Sequence, residues 1–442
     1  MSRDFHIPEG EELNEYASGC YALAGRLFPI CRSLTGKGVR ETLSILKEYI
    51  PTLEIKSVPS NTQVFDWTVP KEWEINDAFI EDESGRKIID FKENNLHVMG
   101  YSHPVDEVMD LSELKKHIYV QEDQPDVIPY VTSYYRERYG FCMSKNMLDS
   151  LPEGKYRAYV DSRLFDGNLN YGEAFLPGET DMEILFTTYV CHPSLANNEC
   201  SGPALLAHIY KWLESIPNRK YGYRFVFGPE TIGSVTYLSQ NLPHLKQYLK
   251  AGFNLSCVGD DRAYSAVQSR YGNNLSDRVL EHLLKYRANS TIYSFLERGS
   301  DERQYCAPGV DLPFATFCRS KYTKYPEYHT SADDMNLISP EGFAGSFKTM
   351  AEAVKILEYN AYYLINVYCE PQLGKRGLYP TVSKKGSYDA VKTLTDFIAY
   401  ADGTNDLLDI AKIINVPVTE LFDVIDKLSD GGLLDSADAL AR

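Results

Sequence analysis

The sequence has no CxxC pair, no run of about 18 apolar residues, no internal repeat and no low-complexity tract. The missing apolar run argues against a membrane span, so no membrane partner is expected. The first residues, MSRDFHIPEGEELNEY, also lack the basic and apolar regions of a signal peptide, and the expected location is cytoplasmic. Nine scattered cysteines, an odd number, exclude complete disulfide pairing and read as buried thiols. Positive charge is in deficit: 45 basic residues against 62 acidic ones leave a net charge of −17. A field of that sign repels phosphate, so no nucleic acid is expected as a partner. What remains, 442 residues with 43% hydrophobic and 24% charged, is an ordinary globular composition with room for more than one domain. The 33 tyrosines supply rings with polar tips, which suit sugar or peptide surfaces as well as cores.

From Glu11 to Tyr49, Tyr16, Cys20, Leu23 and Leu27, then Val39, Leu43 and Leu46, recur at helical spacing on either side of SLTGKG. That pattern predicts a helical hairpin. Near Asn61 the grammar changes to short alternating strands and turns, and this β-rich character runs to about Asp161. From Met182, MEILFTTYV, YRFVFG and FNLSCVG read as buried strands, separated by the helical runs GPALLAHIYKWL and TIGSVTYLSQNL. Such alternation predicts an α/β fold, a mixed and mostly parallel sheet sandwiched by helices, into which the β-rich module is inserted. After Pro371, LLDIAKIINVPVTELFDVIDKLSDGGLLD reads as two helices and a glycine stop, in helix-turn-helix order. The stretch from Asp402 to Arg442 holds nine acids and three bases, so its second helix would turn carboxylates toward DNA. A protein-contact module, or a homo-oligomer contact, is the expectation. The expected units are 1–60 and 162–370 for the main domain, 61–161 for the insert and 371–442 for the C-terminal unit.

Ligands bind at the carboxyl ends of strands in open α/β sheets, and here each strand ends in polar chemistry. The first is followed by His192 and then Asn198 and Glu199, the second by Glu230, and the third by Asp260. Farther on, GSDERQY carries Asp301 and Arg303, and YPEYHTSADD carries Glu327, Tyr328, His329, Asp333 and Asp334. Two histidines and several carboxylates at the ends of one sheet are the inventory of a hydrolytic zinc site. Singly, each would read as a hydrogen-bonded core histidine or a helix cap. Their joint placement is what independent caps do not require.

The run CHPSLANNECSGPALL, followed in order by PETIGS, GDD, GSDERQY and EYHTSADD, resembles the zinc aminopeptidase superfamily of bacterial leucyl aminopeptidase and glutaminyl cyclase. It is most similar to aminopeptidase-like proteins of polysaccharide-biosynthesis clusters. LFPICRSLTG, VFDWTVPKEWEINDAFI, IPYVTSYY and NYGEAFLPG extend the likeness over nearly the whole chain. The resemblance implies a zinc-exopeptidase-like fold with the inserted β-rich domain and a small helical, winged-helix-like C-terminal domain.

For the site it implies metal ligands at His192 and His329, a bridging position at Asn198, a general base at Glu230 and a second metal-binding carboxylate where Thr231 stands. The third strand's ligand falls on Ser256 without a gap or on Asp260 with a shift. Asn198 and Thr231 each replace an anionic ligand, which leaves charge for one zinc ion and not for two. His192, His329 and Asp260 would hold it, with Glu199 as a substitute carboxylate. Arg303, Arg319, Tyr322 and Tyr328 would bind a substrate carboxylate or sugar hydroxyls, and Asp301 or Glu327 a substrate ammonium. The expected reaction is hydrolysis of an amide in a small aminoacyl, peptide or aminoacyl-sugar compound. The alternatives are a metal-poor binding relative, or acyl transfer or cyclisation on the same scaffold. The insert, with Trp67 and Trp73, would either roof the pocket or mediate dimer contacts.

Overall fold

Seven consecutive buried residues, Glu183–Tyr189, form the strand on which the site is built. In the computed structural model, which describes residues 5–134, 136–378 and 391–437, it belongs to an eight-stranded sheet. In chain order the strands are β1 (Glu54–Pro59), β2 (Asn168–Leu176), β3 (Glu183–Tyr189), β4 (Gly222–Gly228), β5 (Leu249–Leu255), β6 (Tyr264–Val267), β7 (Ser290–Tyr293) and β8 (Phe314–Cys318). Their spatial order is β1-β2-β4-β3-β5-β8-β6-β7. The central four, β4, β3, β5 and β8, are mutually parallel, while β1, β2 and β6 add antiparallel pairings. This is the mixed sheet that the alternation of strands and helices predicts.

Side chains alternate across a strand, and β3 divides accordingly. Ile184 and Phe186 join the core beneath the helices Gly10–Leu27, Ser201–Glu214 and Pro340–Tyr359, whereas Leu185 and Tyr189 join Val235 and Leu238 of the helix Ile232–Tyr248 on the other face. The second cluster runs on into Trp73 and Tyr101 of the insert, so one apolar core binds insert to sheet. Gly202 sets the closeness of the helix that follows the site: a Cβ there would lie 2.1 Å from Thr188 Oγ1 and 2.7 Å from the Leu255 carbonyl. Only glycine lets that helix start against the sheet.

The insert carries a four-stranded antiparallel sheet in the order Lys87–Asp90, Glu72–Asp82, Lys155–Phe165, Val105–Asp110. Its strand Lys155–Phe165 continues past residue 161. Ile128 and Tyr130 tie the insert to the loop after β8: the Tyr130 N–H donates to the His329 carbonyl at 2.8 Å, and the Ser331 N–H to the Ile128 carbonyl at 2.8 Å. The C-terminal unit starts earlier than residue 371, because Tyr362–Ile365 pairs with Asp402–Asp406 and Leu434–Ala437 in a three-stranded sheet. Among the described residues the helices Lys392–Tyr400, Leu407–Ile414 and Phe422–Asp430 belong to it as well. Residues 379–390 and 438–442 of the expected 371–442 unit lie outside the described residues. Among the described residues no helix is long and apolar enough to cross a membrane.

The last of those helices buries Phe422, Val424, Ile425 and Leu428 and exposes Asp423, Lys427 and Asp430. Its outward face is acidic, as the composition implied. The unit is held to the main domain by the helix Leu275–Lys285: Arg278 forks onto Asp406 at 2.6 and 2.8 Å and reaches Asp409 at 2.9 Å. One turn on, His282 Nε2 accepts the Val418 N–H at 2.9 Å. Burial, with the Lys285 charge, lowers the His282 imidazole to about 4 from an ordinary 6.5. A histidine depressed in the folded state stays neutral while the unfolded chain takes up a proton, so its contribution is present above pH 6.5 and lost as pH falls toward 4. With its partial exposure discounted, we expect about 1–2 kcal/mol of stability to be lost over that window. His282→Gln should flatten this part of the curve in urea titrations at stepped pH, and an unchanged slope would refute the assignment.

Candidate active site

Beyond β3 the chain turns through Cys191 and His192 into one π-turn, Ala196–Cys200, in which the Leu195 carbonyl accepts N–H groups from both Glu199 (3.2 Å) and Cys200 (3.1 Å). Such widened turns recur at functional sites because they re-aim side chains within a helix. Asp333, from the loop after β8, fixes this one: its carboxylate accepts the Asn197 N–H at 2.6 Å, the Asn198 N–H at 3.1 Å and the Tyr325 hydroxyl at 2.9 Å. Burial raises that carboxyl to about 7 against the pull of these bonds.

The turn delivers Glu199 to His192, with Nδ1 3.1 Å from Oε2. Behind Glu199 stands Arg32 from the N-terminal hairpin, both side chains 1% exposed, with Nε 3.0 Å from Oε1. The Arg32 Nε–H itself points at the His192 carbonyl, 2.9 Å away, so the contact with Glu199 is an ion pair and not a hydrogen bond. Arg32 also donates to the Leu27 carbonyl at 2.7 Å, which anchors it to its own hairpin. Burial works against a charge on His192, but Glu199, with help from Glu230, outweighs it and the imidazole is raised. The pocket favours a cation at this ring.

His329 arrives from the far end of the chain. Its ring centre lies 5.4 Å from that of His192. Tyr328 stacks on it at 3.8 Å and Tyr130 of the insert meets it edge-on at 5.0 Å, while the same Tyr130 ring lies 5.2 Å from His192. Burial and the neighbouring His192 hold His329 neutral. The insert therefore roofs the two imidazoles.

Glu230 follows β4 with Oε2 4.0 Å from His192 Nε2, and its Oε1 accepts the Ser300 hydroxyl at 2.9 Å. Burial raises its carboxyl, and His192, Ser300 and Arg303 resist that rise. Next to it Thr231 has a left-handed φ of 64°, its N–H held by Asp301 at 2.8 Å and its hydroxyl by Arg303. Burial and the Glu230 charge push Asp301 up to about 7.

Several expected roles are not met. Asp260 accepts the Asn197 amide (3.0 Å), the Ser320 N–H (2.9 Å) and hydroxyl (2.7 Å) and the Arg262 N–H (3.0 Å), which uses its lone pairs to hold a loop and not a metal. Ser256, the ungapped alternative, pairs with the Tyr189 hydroxyl at 2.5 Å. Glu199 is committed to Nδ1 of His192 and supports a ligand more than it replaces one. Arg319 donates to the Ala263 and Gly342 carbonyls over the Tyr264 ring, and Tyr322 donates to the buried Glu302. Glu327 forks with Arg262 at 3.2 Å, and Asp301 faces the Thr231 backbone. These four residues stabilise loops and do not line the imidazole pair. Tyr328 and Arg303 remain beside it. Asp333 stands among the carboxylates of YPEYHTSADD, whereas nothing local marks Arg32 or Tyr130; the only signal for these two is that LFPICRSLTG and IPYVTSYY match the family far from any titratable cluster.

The groups left over test whether a metal fits. His329 Nε2 and Asn198 Oδ1 are buried without a hydrogen-bond partner. Asn198 is oriented by its own amide, which donates to Tyr189 at 2.7 Å. With Nδ1 engaged by Glu199, His192 presents Nε2. Two imidazole nitrogens, one amide oxygen and the Glu230 carboxylate have the donor chemistry for one small cation and, with a single carboxylate, not for two, but the ligand atoms of His192, His329 and Glu230 do not all lie within 4.8 Å of one another. Among the described residues the one His, Cys, Asp and Glu trio with ligand atoms within 4.8 Å of one another is Cys191, His192 and Glu199. Its thiol is held neutral by burial and accepts the Glu230 N–H at 3.2 Å, so that trio is internally satisfied.

Comparison with known proteins agrees with this architecture. Residues 21–360 match a family described as a domain of unknown function (DUF4910), and residues 361–436 match a winged helix-turn-helix family. A Clostridium acetobutylicum protein named "Putative polysaccharide biosynthesis protein with aminopeptidase-like domain" is 45% identical over 411 residues, which cover 91% of this chain and 94% of that one. A crystal structure of a "putative peptidase" from the same species superposes with a TM-score of 0.90 at 43% identity, covering 96% and 97% of the two chains. A zinc aminopeptidase from Bacillus subtilis shares the fold at a TM-score of 0.56 and 15% identity, covering 80% of this chain and 96% of that one. The chain belongs to the DUF4910 family, an aminopeptidase-like domain carried with a C-terminal winged helix-turn-helix.

Proposed function

We propose that the protein is a zinc-dependent hydrolase of the aminopeptidase type, with one ion, that cleaves an amide in a small aminoacyl or aminoacyl-sugar compound of a biosynthetic pathway. The observation that carries this reading is the meeting of two buried imidazoles, ring centres 5.4 Å apart, with Glu230 4.0 Å from one of them. The name of the clostridial relative favours a biosynthetic setting, and the absence of any membrane-length helix among the described residues is compatible with the cytoplasm.

In this reading His192 Nε2, His329 Nε2 and Asn198 Oδ1 would hold the ion, which would supply Lewis acidity toward a carbonyl and toward water. Glu230 removes the proton from the attacking water. A C–O bond forms as the C–N bond breaks, and Glu230 returns the proton to the leaving amine, yielding a free acid and an amine. Its burial raises the carboxyl, which makes it a better base than an exposed glutamate and a competent acid on the return step. Glu199 fixes the tautomer and angle of His192, and Arg32 holds Glu199 in place. Tyr130 and Tyr328 cover the rings and exclude water, and Arg303 lies near enough to act on Glu230 electrostatically.

Asn198 and Thr231, neutral where the resembled pattern has carboxylates, favour a second reading, a metal-poor binding protein. Metal analysis separates the two. The hydrolase reading expects about one zinc per chain after loading, lost in His192→Ala; a chain that takes up no zinc supports the second reading. Glu230→Gln should keep the zinc and lower turnover by about 10²–10⁴-fold, and retained turnover would remove Glu230 as the base. Glu199→Gln should weaken zinc affinity by about 10–100-fold in competition with a chromogenic chelator; unchanged affinity would reduce Glu199 to a packing role.

A further inference from the structure

A second feature lies one side chain away from the imidazoles. In the insert, between the hairpin formed by Gln63–Val64 and Trp67–Thr68 and the residues Ser133, Tyr134, Arg136 and Glu137, is a cavity of about 470 Å³. Its size falls within the roughly 300–1,000 Å³ of small-molecule sites. Trp67, Tyr101 and Tyr134 give it aromatic walls. The Tyr101 ring is held by stacking on Trp73 at 5.8 Å, and its hydroxyl lies 2.6 Å from Thr35 Oγ1. Tyr134 meets Tyr101 edge-on at 5.3 Å. The Tyr134 hydroxyl is 2.9 Å from that of Tyr130, the residue whose ring covers both His192 and His329. The cavity wall and the candidate site thus share a pair of hydrogen-bonded tyrosines.

The charges around the cavity narrow what fits it. Asp66 and Glu137 are matched by Lys71 and Arg136, two of each sign, with Lys71 4.0 Å from Glu137. A balanced rim gives no net attraction to a phosphate, a carboxylate or an ammonium group. An apolar ligand would leave the polar part of the lining, which includes Asn61, Thr68 and Ser133, without a partner. A neutral ring with one C–H face and a periphery of hydroxyls satisfies both halves of the wall, the face against indole or phenol and the hydroxyls against the rim.

We propose that this cavity is a carbohydrate subsite that holds a neutral sugar ring. Resting on the hydrolase reading above, the bound sugar would lie behind the Tyr134–Tyr130 pair from His192 and His329, and Tyr130 would have to swing aside for an attached amide to reach them. The carbohydrate assignment itself stands on the cavity alone.

The test uses the full chain and unlabelled N-acetylglucosamine, glucose and galactose, with trialanine and inorganic phosphate as comparison ligands, read by saturation-transfer NMR and calorimetry. At least one sugar should bind saturably and in preference to trialanine and phosphate. Trp67→Ala should weaken it at least tenfold. Arg136→Ala, a change at an exposed side chain, should weaken it several-fold with an unaltered melting curve, which keeps the test informative if Trp67→Ala does not fold. Absence of binding by all three sugars, preference for trialanine or phosphate, or equal sugar binding by both variants would overturn the proposal. Sugar binding without zinc uptake removes the hydrolase reading and leaves the subsite. Zinc uptake and Glu230-dependent hydrolysis without sugar binding do the reverse.

Discussion

A carboxylate and a guanidinium taken fully out of water are costly unless each finds the other, and the pair Glu199–Arg32, both 1% exposed, sits at the centre of this structure on those terms. Arg32 belongs to the N-terminal hairpin and Glu199 to the turn after β3. Their mutual need holds the first 50 or so residues against the end of the central strand. It also fixes His192, whose carbonyl accepts from Arg32 and whose Nδ1 faces Glu199. Loss of either charge would strand the other in the interior, so hairpin, π-turn and imidazole form one unit.

Around that unit the backbone is held in conformations that it would not choose alone. Thr231, Cys257 and His329 have left-handed φ values of 64°, 53° and 57° in the loops after β4, β5 and β8. Each such residue costs about 1–3 kcal/mol. Each is also clamped by a bond from elsewhere: Thr231 by Asp301, the Cys257 carbonyl by the Arg319 N–H at 2.8 Å, and the His329 carbonyl by the Tyr130 N–H at 2.8 Å. Arg319 and Tyr130 therefore act on the site through the backbone. The insert is more than a surface addition, since a main-chain bond and one ring connect it to His329.

The C-terminal unit belongs to a winged helix-turn-helix family, yet its second helix exposes Asp423 and Asp430 and its turn packs on His282. Duplex DNA presented to that acidic face would meet like charge. The fold family by itself therefore assigns this unit no partner.

The strands β3, β4 and β5, the hairpin helices and the acidic C-terminal pair were legible because each depends on local periodicity. The candidates His192, Glu230 and His329 were legible because polar residues after buried strands fall on one sheet edge. Asp260, Arg319, Tyr322 and Glu327 have the same local appearance, and nothing along the chain says which way such a side chain turns. Hydrogen-bond partners 60 or more residues away decide that, as Asn197 and Ser320 do for Asp260. Arg32 and Tyr130 were invisible for the converse reason: an arginine in a hairpin and a tyrosine in a β-rich insert carry no local mark of a site. Sequence by itself determined the elements and which chemistry each strand end carries, because hydrophobic period and residue type act over a few neighbours. Which groups meet, and which are spent on holding loops, was decided only by tertiary packing, because desolvation pairs buried charges and lone pairs without regard to their distance along the chain.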